Sequence, residues 1–537
     1  MTSKENDSTG QRGAAGGNPG LDHESRSYEW PLAFLREQLH RPALLWLALV
    51  AIALVLTLSI NPTHHWDGDG ELYLLNALNI LHHHDYAATG YLVNPYDAIH
   101  PAAYPPGLPL LLVPVLEFFG INYLATKVML VLCYIVTLIV IMKITEPFLE
   151  TPWRIFILLA LGTNPLIFGF KNAVFSELPF MMFVYFALYA FDRLSQTLEK
   201  GESRITASLW AGTSGLAMAG AYETRTIGIV LFATVGICII LNVRRFRIFG
   251  PAVLLAGIAM SVVISRLFPA DIGTYASYFE LDSLRDLGLL AHNVIDASLA
   301  YVGGFTDLLG MSGYPISRTG SDKVVIIAYA IIALAATGLW LRLRRGITVY
   351  EVFFIVYLAV LSVYPIYGES QRYALPIFPL LVIYAVVAVA QDWPWRPSIL
   401  RYRGLLLVTA FVFLYTWQYA SAPRKLLPPS VDGIEAQALY EQIKAHVPPD
   451  EVILSAKPTI IALHAGRSAT NWARTPETSE FLRYADEVQA KWLVVTGFTS
   501  PAFTLVDLLP TINHHIEAVW SSPQFTLYRM NTEGLKE

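Results

Sequence analysis

Between Pro42 and Tyr419 the chain strings together apolar runs of near-membrane length, joined by short loops. The runs lie at Pro42–Ile60, Tyr123–Ile144, Ile155–Phe170, Glu177–Phe191, Thr206–Ala221, Thr226–Val243, Phe249–Phe268, Lys323–Leu341, Val349–Pro365, Tyr373–Ala390 and Leu405–Tyr419. A helix needs about 20 apolar residues to cross the hydrocarbon of a bilayer. Only 15% of residues are charged and 54% are hydrophobic, whereas a soluble domain carries about 25% charge. A soluble core does not account for unbroken runs of this kind. The pattern predicts a polytopic α-helical membrane protein with about eleven transmembrane helices. Gly107–Phe119 is short for a crossing and is read as a surface or re-entrant segment; if it crossed, the count would be about twelve.

Loop charge sets the orientation, because Lys and Arg accumulate on the cytoplasmic side. With eleven spans, one side receives Lys143 and Arg154; Arg193, Lys200 and Arg204; Arg244, Arg245 and Arg247; Arg342, Arg344 and Arg345; and Arg396, Arg401 and Arg403. The other side has only isolated basic residues, Lys171, Arg225, Arg285, Arg318 and Arg372. This places the amino terminus in the cytoplasm and the carboxyl terminus outside. A net charge of −5 gives no reason to expect nucleic acid. Cys133 and Cys238 fall inside apolar runs, so neither a disulfide framework nor a zinc site is expected.

Three domains follow. Residues 1–41 are polar and glycine-scattered, and are expected to be a disordered cytoplasmic segment. Residues 42–420 form the membrane domain, with external loops at 62–122 and 269–322. Residues 421–537 change to soluble composition. There Ile434–His446 and Pro476–Val488 read as helices and Val452–Ala456, Trp492–Thr496, Ile516–Ser521 and Phe525–Arg529 as strands, which predicts a small extracytoplasmic α/β domain.

The most unusual stretch is Trp66–Pro106. It holds Asp67, Asp69, Glu71, Asp85 and Asp97 and no Lys or Arg. Leu72, Leu75, Leu78 and Leu81 recur every three residues, which predicts a surface helix starting near Gly70 with Asp69 at its N-cap. Asp67 and Asp69 then either only shape and cap that turn or take part in chemistry. Arg225 either anchors to Glu223 at the interface or binds phosphate; Lys171 presents the same choice. His82, His83 and His84 point in three directions on a helix and suit a solvated helix end. Asp69 with His100 or Glu177 offers oxygen and imidazole to a divalent cation, but no metal site or cofactor is assigned. Tyr86, Tyr91, Tyr96 and Tyr104 serve either to stack on sugar rings or as an interfacial belt.

Several short motifs share one pattern. Asp69-Gly70-Glu71-Leu72-Tyr73, Asn94-Pro95, His100-Pro101 and Tyr104-Pro105-Pro106-Gly107-Leu108-Pro109-Leu110 resemble the first external loop of the GT-C membrane glycosyltransferases. The resemblance is to their bacterial branch, related to protein O-mannosyltransferases and the lipid A aminoarabinose transferase. Ser176-Glu177-Leu178-Pro179 resembles the family's second acidic motif, and Arg372-Tyr373-Ala374-Leu375-Pro376 its late Arg-Tyr-x-x-Pro motif. The resemblance implies a GT-C fold in a cytoplasmic (inner) membrane and an inverting transfer of sugar from a polyprenyl-phosphate donor to an acceptor hydroxyl. The acceptor would be a lipid, a glycan or a protein. It implies Asp69 as catalytic base, with Glu177 and Asp67 as supporting carboxylates. Arg372 and Arg225 would face phosphate, with Tyr104, Glu71, His100 and Lys171 as further substrate contacts. The chain departs from the pattern at Gly70, where many relatives have a second acid. Asp67 or Glu71 takes that role here. It departs again at Tyr104, where some aminoarabinose-type relatives carry a lysine. Two other classes fit the same span pattern: a lipid-linked sugar transporter or flippase, and a non-catalytic envelope assembly protein. Transporters place ionisable residues in mid-membrane broken helices, whereas here they gather at one surface.

Overall fold

The structure, a computed structural model, describes residues 42–66, 69–96, 99–271, 287–311, 322–363, 370–391, 402–421, 429–472, 477–497 and 508–531. The amino-terminal segment 1–41, Asp67, Asp97, Arg285, Arg318, Arg396 and Arg401 lie outside the described residues.

Every expected apolar run is helical, usually to within a few residues of the expected ends. The run Ile155–Phe170 is divided into Thr151–Gly162 and Pro165–Phe170. Pro165 has no N–H to continue the first helix, and the Asn164 side chain accepts from the N–H groups of Leu166 (3.0 Å) and Ile167 (3.2 Å), which starts the second. Gly107–Phe119 forms a helix of 13 residues.

Among the described residues, six helices are long and apolar enough to cross a membrane: Tyr123–Thr145, Phe249–Leu267, Ala291–Met311, Val325–Arg345, Ser370–Ala390 and Arg403–Ser421. The third was expected to be part of a loop. His292, Asn293 and Asp296 interrupt its apolar run in the sequence. In the structure His292 and Asp296 lie on the exposed side, paired at 3.2 Å, while Ala297, Tyr301 and Phe305 are buried. An amphipathic helix was hidden behind its polar side. It packs against Val349–Val363 and Ser370–Ala374.

Ser370–Ala390 is the central helix and is almost wholly buried. It is broken near Pro376 and Pro379, where the main chain passes through a short 3-10 turn, Leu375–Ile377. Two buried tyrosines satisfy carbonyls at the break: Tyr185 donates to Pro376 O (2.9 Å) and Tyr357 to Tyr373 O (3.1 Å). Without water, such freed carbonyls must find protein partners. Around this centre, outer helices present Leu255, Val262, Ile326, Leu405 and Val412 outward, as suits a lipid-facing surface.

Two fully buried lysines fasten the first helix, Pro42–Leu58. Lys127 Nζ donates to Asn61 O (2.9 Å) and Thr63 O (2.6 Å), and Lys171 Nζ to Ser59 O. Cations at a helix carboxyl end complement its exposed carbonyls. Lys171 is therefore engaged in capping, at the end of Pro42–Leu58.

The carboxyl-terminal unit contains a five-stranded sheet in the order β2-β1-β3-β5-β4. The strands are β1 (Val452–Ser455), β2 (Ala469–Thr470), β3 (Ala490–Thr496), β4 (Ile516–Ser521) and β5 (Phe525–Met530). β1 pairs in parallel with β2 and β3, and β5 is antiparallel to β3 and β4. The long loop of the membrane domain joins the edge of this sheet: Leu92 N donates to Ala469 O and Ala469 N to Gly90 O, both at 2.9 Å. Trp66 is buried against Phe525 (4.8 Å between ring centroids) and Tyr440 (6.3 Å). The helix Gly70–Leu81 is consequently no surface helix. Gly107–Phe119 and Pro458–Ala465 both pack on it, and Leu72, Tyr73, Leu74, Leu75 and Ala77 are buried. Gly107 lets the start of Gly107–Phe119 approach the end of the helix Arg204–Thr224: a Cβ there would stand 2.5 Å from Thr224 Oγ1 and 2.6 Å from the main chain of Glu223 and Thr224.

If Trp66 is the main apolar anchor of the sheet unit, Trp66→Ala should cost about 3–5 kcal/mol. Proteolytic cleavage within residues 429–531 should then accelerate. Leu47→Ala, at a position 63% exposed on the first helix, should leave the cleavage rate unchanged.

Candidate functional site

Glu177 begins the helix Glu177–Lys200. Its side chain is fully buried, in the first turn, where the helix dipole favours a negative charge. Its Oε1 accepts from Arg225 NH1 (2.7 Å) and from Arg372 Nε. Arg372 comes from the central helix, and its NH2 donates to Asp69 Oδ2 at 3.2 Å. One guanidinium thus bridges two carboxylates that are 108 positions apart in the sequence. Both guanidiniums also lie over aromatic rings, Arg372 over Phe175 (4.4 Å) and Arg225 over Tyr373 (5.2 Å).

Asp69 occupies the residue before the helix Gly70–Leu81, yet its side chain makes no capping bond. The bland role predicted for an N-cap Asp is not the one it takes. Its carboxylate turns instead to Arg372 and, through Oδ1, to His100 Nδ1 at 3.6 Å. His100 Nδ1 also meets Tyr104 OH at 3.1 Å. Tyr104 stacks on Tyr73 (4.2 Å, 17°), and Tyr73 OH donates to Ser176 Oγ at 3.1 Å, beside Glu177. The cluster closes on itself from Asp69 through His100, Tyr104, Tyr73 and Ser176 to Glu177, and back through Arg372.

The Asp69 side chain is 19% exposed, whereas that of Glu177 is 1% exposed. Asp69 is thus the carboxylate that solvent or a ligand can reach. Burial works to raise its pKa, but the Arg372 guanidinium, with His100 and Lys457, holds it below the ordinary carboxylate range. Burial lowers the His100 imidazole, against the pull of Asp69. At neutral pH the resting site holds an ionised Asp69 beside a neutral His100.

Of the residues singled out from sequence, Asp69, Glu177, Arg225, Arg372, His100 and Tyr104 come together. Arg225 pairs with Glu177, and Glu223 instead accepts from Ser265 Oγ at 3.0 Å. Glu71 turns away: its Oε1 is 2.9 Å from His64 Nε2 in a buried pair. Lys171 is at the helix end described above. Among the described residues no group of three or more His, Cys, Asp or Glu side chains is arranged to hold a metal. His82, His83 and His84 form an exposed helix end, and Cys133 and Cys238 are buried free thiols.

Sequence reasoning missed Tyr73 and Ser176 as individual contributors, although both stood inside quoted motifs. It missed Lys457 altogether. A lysine before a short helix in a separate unit carries no local signal, and only tertiary packing brings its charge to Asp69 and His100.

No protein-family model and no curated protein matches the chain. Solved structures do. An Archaeoglobus fulgidus oligosaccharyltransferase, tethered with an acceptor peptide, is similar at 12% identity and a TM-score of 0.54 over 85% of this chain and 69% of that one. ArnT from Cupriavidus metallidurans is similar at 15% identity and a TM-score of 0.52 over 91% of this chain and 98% of that one. The arabinofuranosyltransferase AftD from Mycobacteria is similar at 13% identity and a TM-score of 0.54, over 91% of this chain and 42% of that one. The fold is that of the GT-C membrane glycosyltransferases.

Removing the guanidinium should let burial prevail at Asp69. In Arg372→Gln the Asp69 carboxyl should titrate above the ordinary carboxylate range instead of below it, because burial is then less opposed. NMR of 13C-labelled aspartate would read the shift. A depressed pKa contributes stability above the unfolded value and loses it as pH falls through the folded one. In the variant the sign reverses: an Asp69 carboxyl held above its unfolded value costs stability at neutral pH, and that cost is relieved as pH falls through the folded value.

Proposed function

We propose that this protein is a glycosyltransferase that moves a sugar from a polyprenyl-phosphate donor to an acceptor hydroxyl at the outer face of a cytoplasmic membrane. The observation that carries the reading is the bridge from Asp69 through Arg372 to Glu177. A partly open carboxylate stands beside two guanidiniums in a GT-C fold. Support for the lipid carrier comes from a neighbour: ArnT has been solved bound to undecaprenyl phosphate, at 14% identity and a TM-score of 0.51. Support for the orientation comes from Arg204 and Arg244, which lie at or just beyond the far ends of the two helices that meet at Arg225.

In this reading the acceptor hydroxyl attacks the anomeric carbon as the bond from that carbon to the phosphate oxygen breaks. The electron pair leaves with the lipid phosphate, and the hydroxyl proton passes to Asp69. Attack opposite the departing phosphate inverts the anomeric centre. Arg372 has two tasks. In the resting site it holds Asp69 ionised. A bound phosphate competes for that guanidinium, and as Arg372 turns to it the Asp69 carboxylate becomes a stronger base beside the acceptor. Glu177 fixes both arginines for the developing charge on the phosphate. Tyr104 and Tyr73 offer aromatic surface to the sugar, and His100 a hydrogen bond. Asp67 remains a candidate supporting carboxylate. The acceptor hydroxyl belongs to a lipid, a glycan or a protein.

The ionisable groups cluster at one end of the helices, which favours an interfacial enzyme over a transporter with mid-membrane sites. Purified wild-type protein, given labelled polyprenyl-phosphate sugars and a membrane extract as acceptor source, should release polyprenyl phosphate from one donor without a membrane gradient. Asp69→Asn should lower that turnover about 10²–10⁴-fold. Turnover equal to wild type in Asp69→Asn would refute the base assignment. Binding of a donor without turnover by wild type would favour a transporter.

A further inference from the structure

His100 lies in the loop between the helices Gly70–Leu81 and Gly107–Phe119, and its ring is held on several sides. Tyr104 OH is 3.1 Å from Nδ1, and Asp69 Oδ1 is 3.6 Å from the same nitrogen. The Tyr91 ring meets the imidazole edge-on, with 5.9 Å between centroids, and Tyr91 OH donates to the His100 carbonyl at 3.2 Å. The residue is only 7% exposed. Yet its Nε2 is buried and has no hydrogen-bond partner among the described residues. A buried polar atom left unpaired has lost its water for nothing. In a ring so firmly placed, it marks a position that a ligand completes.

The neighbours decide which hydrogen bond is missing. A neutral imidazole carries one proton, so one ring nitrogen donates and the other accepts, whereas an ionised carboxylate only accepts. With Asp69 ionised, the proton belongs on Nδ1, where it faces the Asp69 carboxylate and the Tyr104 hydroxyl oxygen. A bare Nδ1 would set its lone pair against that charge. Nε2 is therefore the bare nitrogen, an acceptor without a donor. This sorts the parts of a polyprenyl-phosphate sugar. Its phosphate is a diester with acceptor oxygens and no donor, so it does not complete Nε2. The attacking hydroxyl of the acceptor goes to Asp69, and the two ring nitrogens point in different directions, so one hydroxyl does not serve both. What remains beside the anomeric carbon is a hydroxyl of the sugar itself.

We propose that His100 Nε2 accepts a hydrogen bond from a ring hydroxyl of the transferred sugar, which makes His100 a specificity-determining residue. This rests on the glycosyl-transfer reading and deepens it. The arginines meet the phosphate, which every such donor shares, and His100 reads the sugar, in which donors differ. A donor without that hydroxyl leaves Nε2 buried and unpaired, and discrimination on that basis is stronger than an apolar pocket provides.

Two measurements on the detergent-solubilised full chain test this. The first needs no ligand: 15N NMR of histidine-labelled protein, with the His100 signals identified by their loss in His100→Gln. The resting wild type should show a protonated Nδ1 and a bare Nε2, and the opposite tautomer would overturn the proposal. The second is equilibrium binding of farnesyl phosphate and of farnesyl phosphate bearing mannose, glucose, galactose or arabinose, followed by deoxy analogues of the tightest-binding sugar. One deoxy analogue should bind wild type at least tenfold more weakly than its parent. His100→Phe should bind that same pair within about twofold of each other, and should bind farnesyl phosphate as wild type does. His100→Gln, which keeps an acceptor, should recover most of the preference. An equal loss of every probe in His100→Phe would mark a structural role and overturn the proposal. So would a wild type that distinguishes no deoxy analogue from its parent; the glycosyl-transfer reading would survive both results. If wild type bound none of the farnesyl phosphates, that reading would fall together with this assignment.

Discussion

The structure of the site depends on one buried carboxylate shared by two arginines. Glu177 has no access to water and sits at the start of a helix, so its charge must be met within the protein. Desolvating an ion costs several kcal/mol, and only close, hydrogen-bonded counter-charges offset that. Arg225 and Arg372 supply them from two different breaks in the helical packing. Arg225 stands where the helix Arg204–Thr224 gives way to a short turn, and Arg372 stands before the proline break of the central helix. Three helix ends are thereby fixed relative to one another. Asp69 is then placed by Arg372 NH2, and His100 by Asp69 and Tyr104.

The same dependence extends to the carboxyl-terminal unit. The loop that carries Asp69, His100 and Tyr104 does not fold against the membrane helices alone. It lends main-chain bonds to the edge of the sheet and buries Trp66 against Tyr440 and Phe525, in a core continuous with the membrane helices. The pair His64–Glu71 lies at this seam, with His64 stacked on Tyr123 (4.4 Å) and Tyr123 OH 3.0 Å from His464 of the sheet unit. The loop and the sheet unit form one packed body, so the position of Asp69 is set from both sides.

Much of this was legible in the sequence. Membrane-length apolar runs gave the helices, because the bilayer imposes a length that few other constraints imitate. Strand and helix patterns after Ser421 gave four of the five strands. Asp69, Glu177 and Arg372 were legible through short motifs and their shared side. What escaped has physical causes. The helix Leu287–Thr306 hides its apolar stripe behind His292 and Asp296. Gly70–Leu81 was read as a surface helix because nothing local reveals that another unit will cover it. Lys171 and Glu71 had the right chemistry in the right neighbourhood, but one is taken by the carboxyl end of the first helix and the other by His64. Lys457 is invisible until the two units are docked.

The most direct test of the account is a cryo-electron microscopy structure of the full chain with a non-transferable polyprenyl-phosphate sugar analogue. The account predicts the phosphate within hydrogen-bond distance of Arg372, with the Arg372–Asp69 contact opened and the anomeric carbon facing the Asp69 carboxylate. A phosphate bound elsewhere, with the Asp69–Arg372–Glu177 bridge intact, would contradict it.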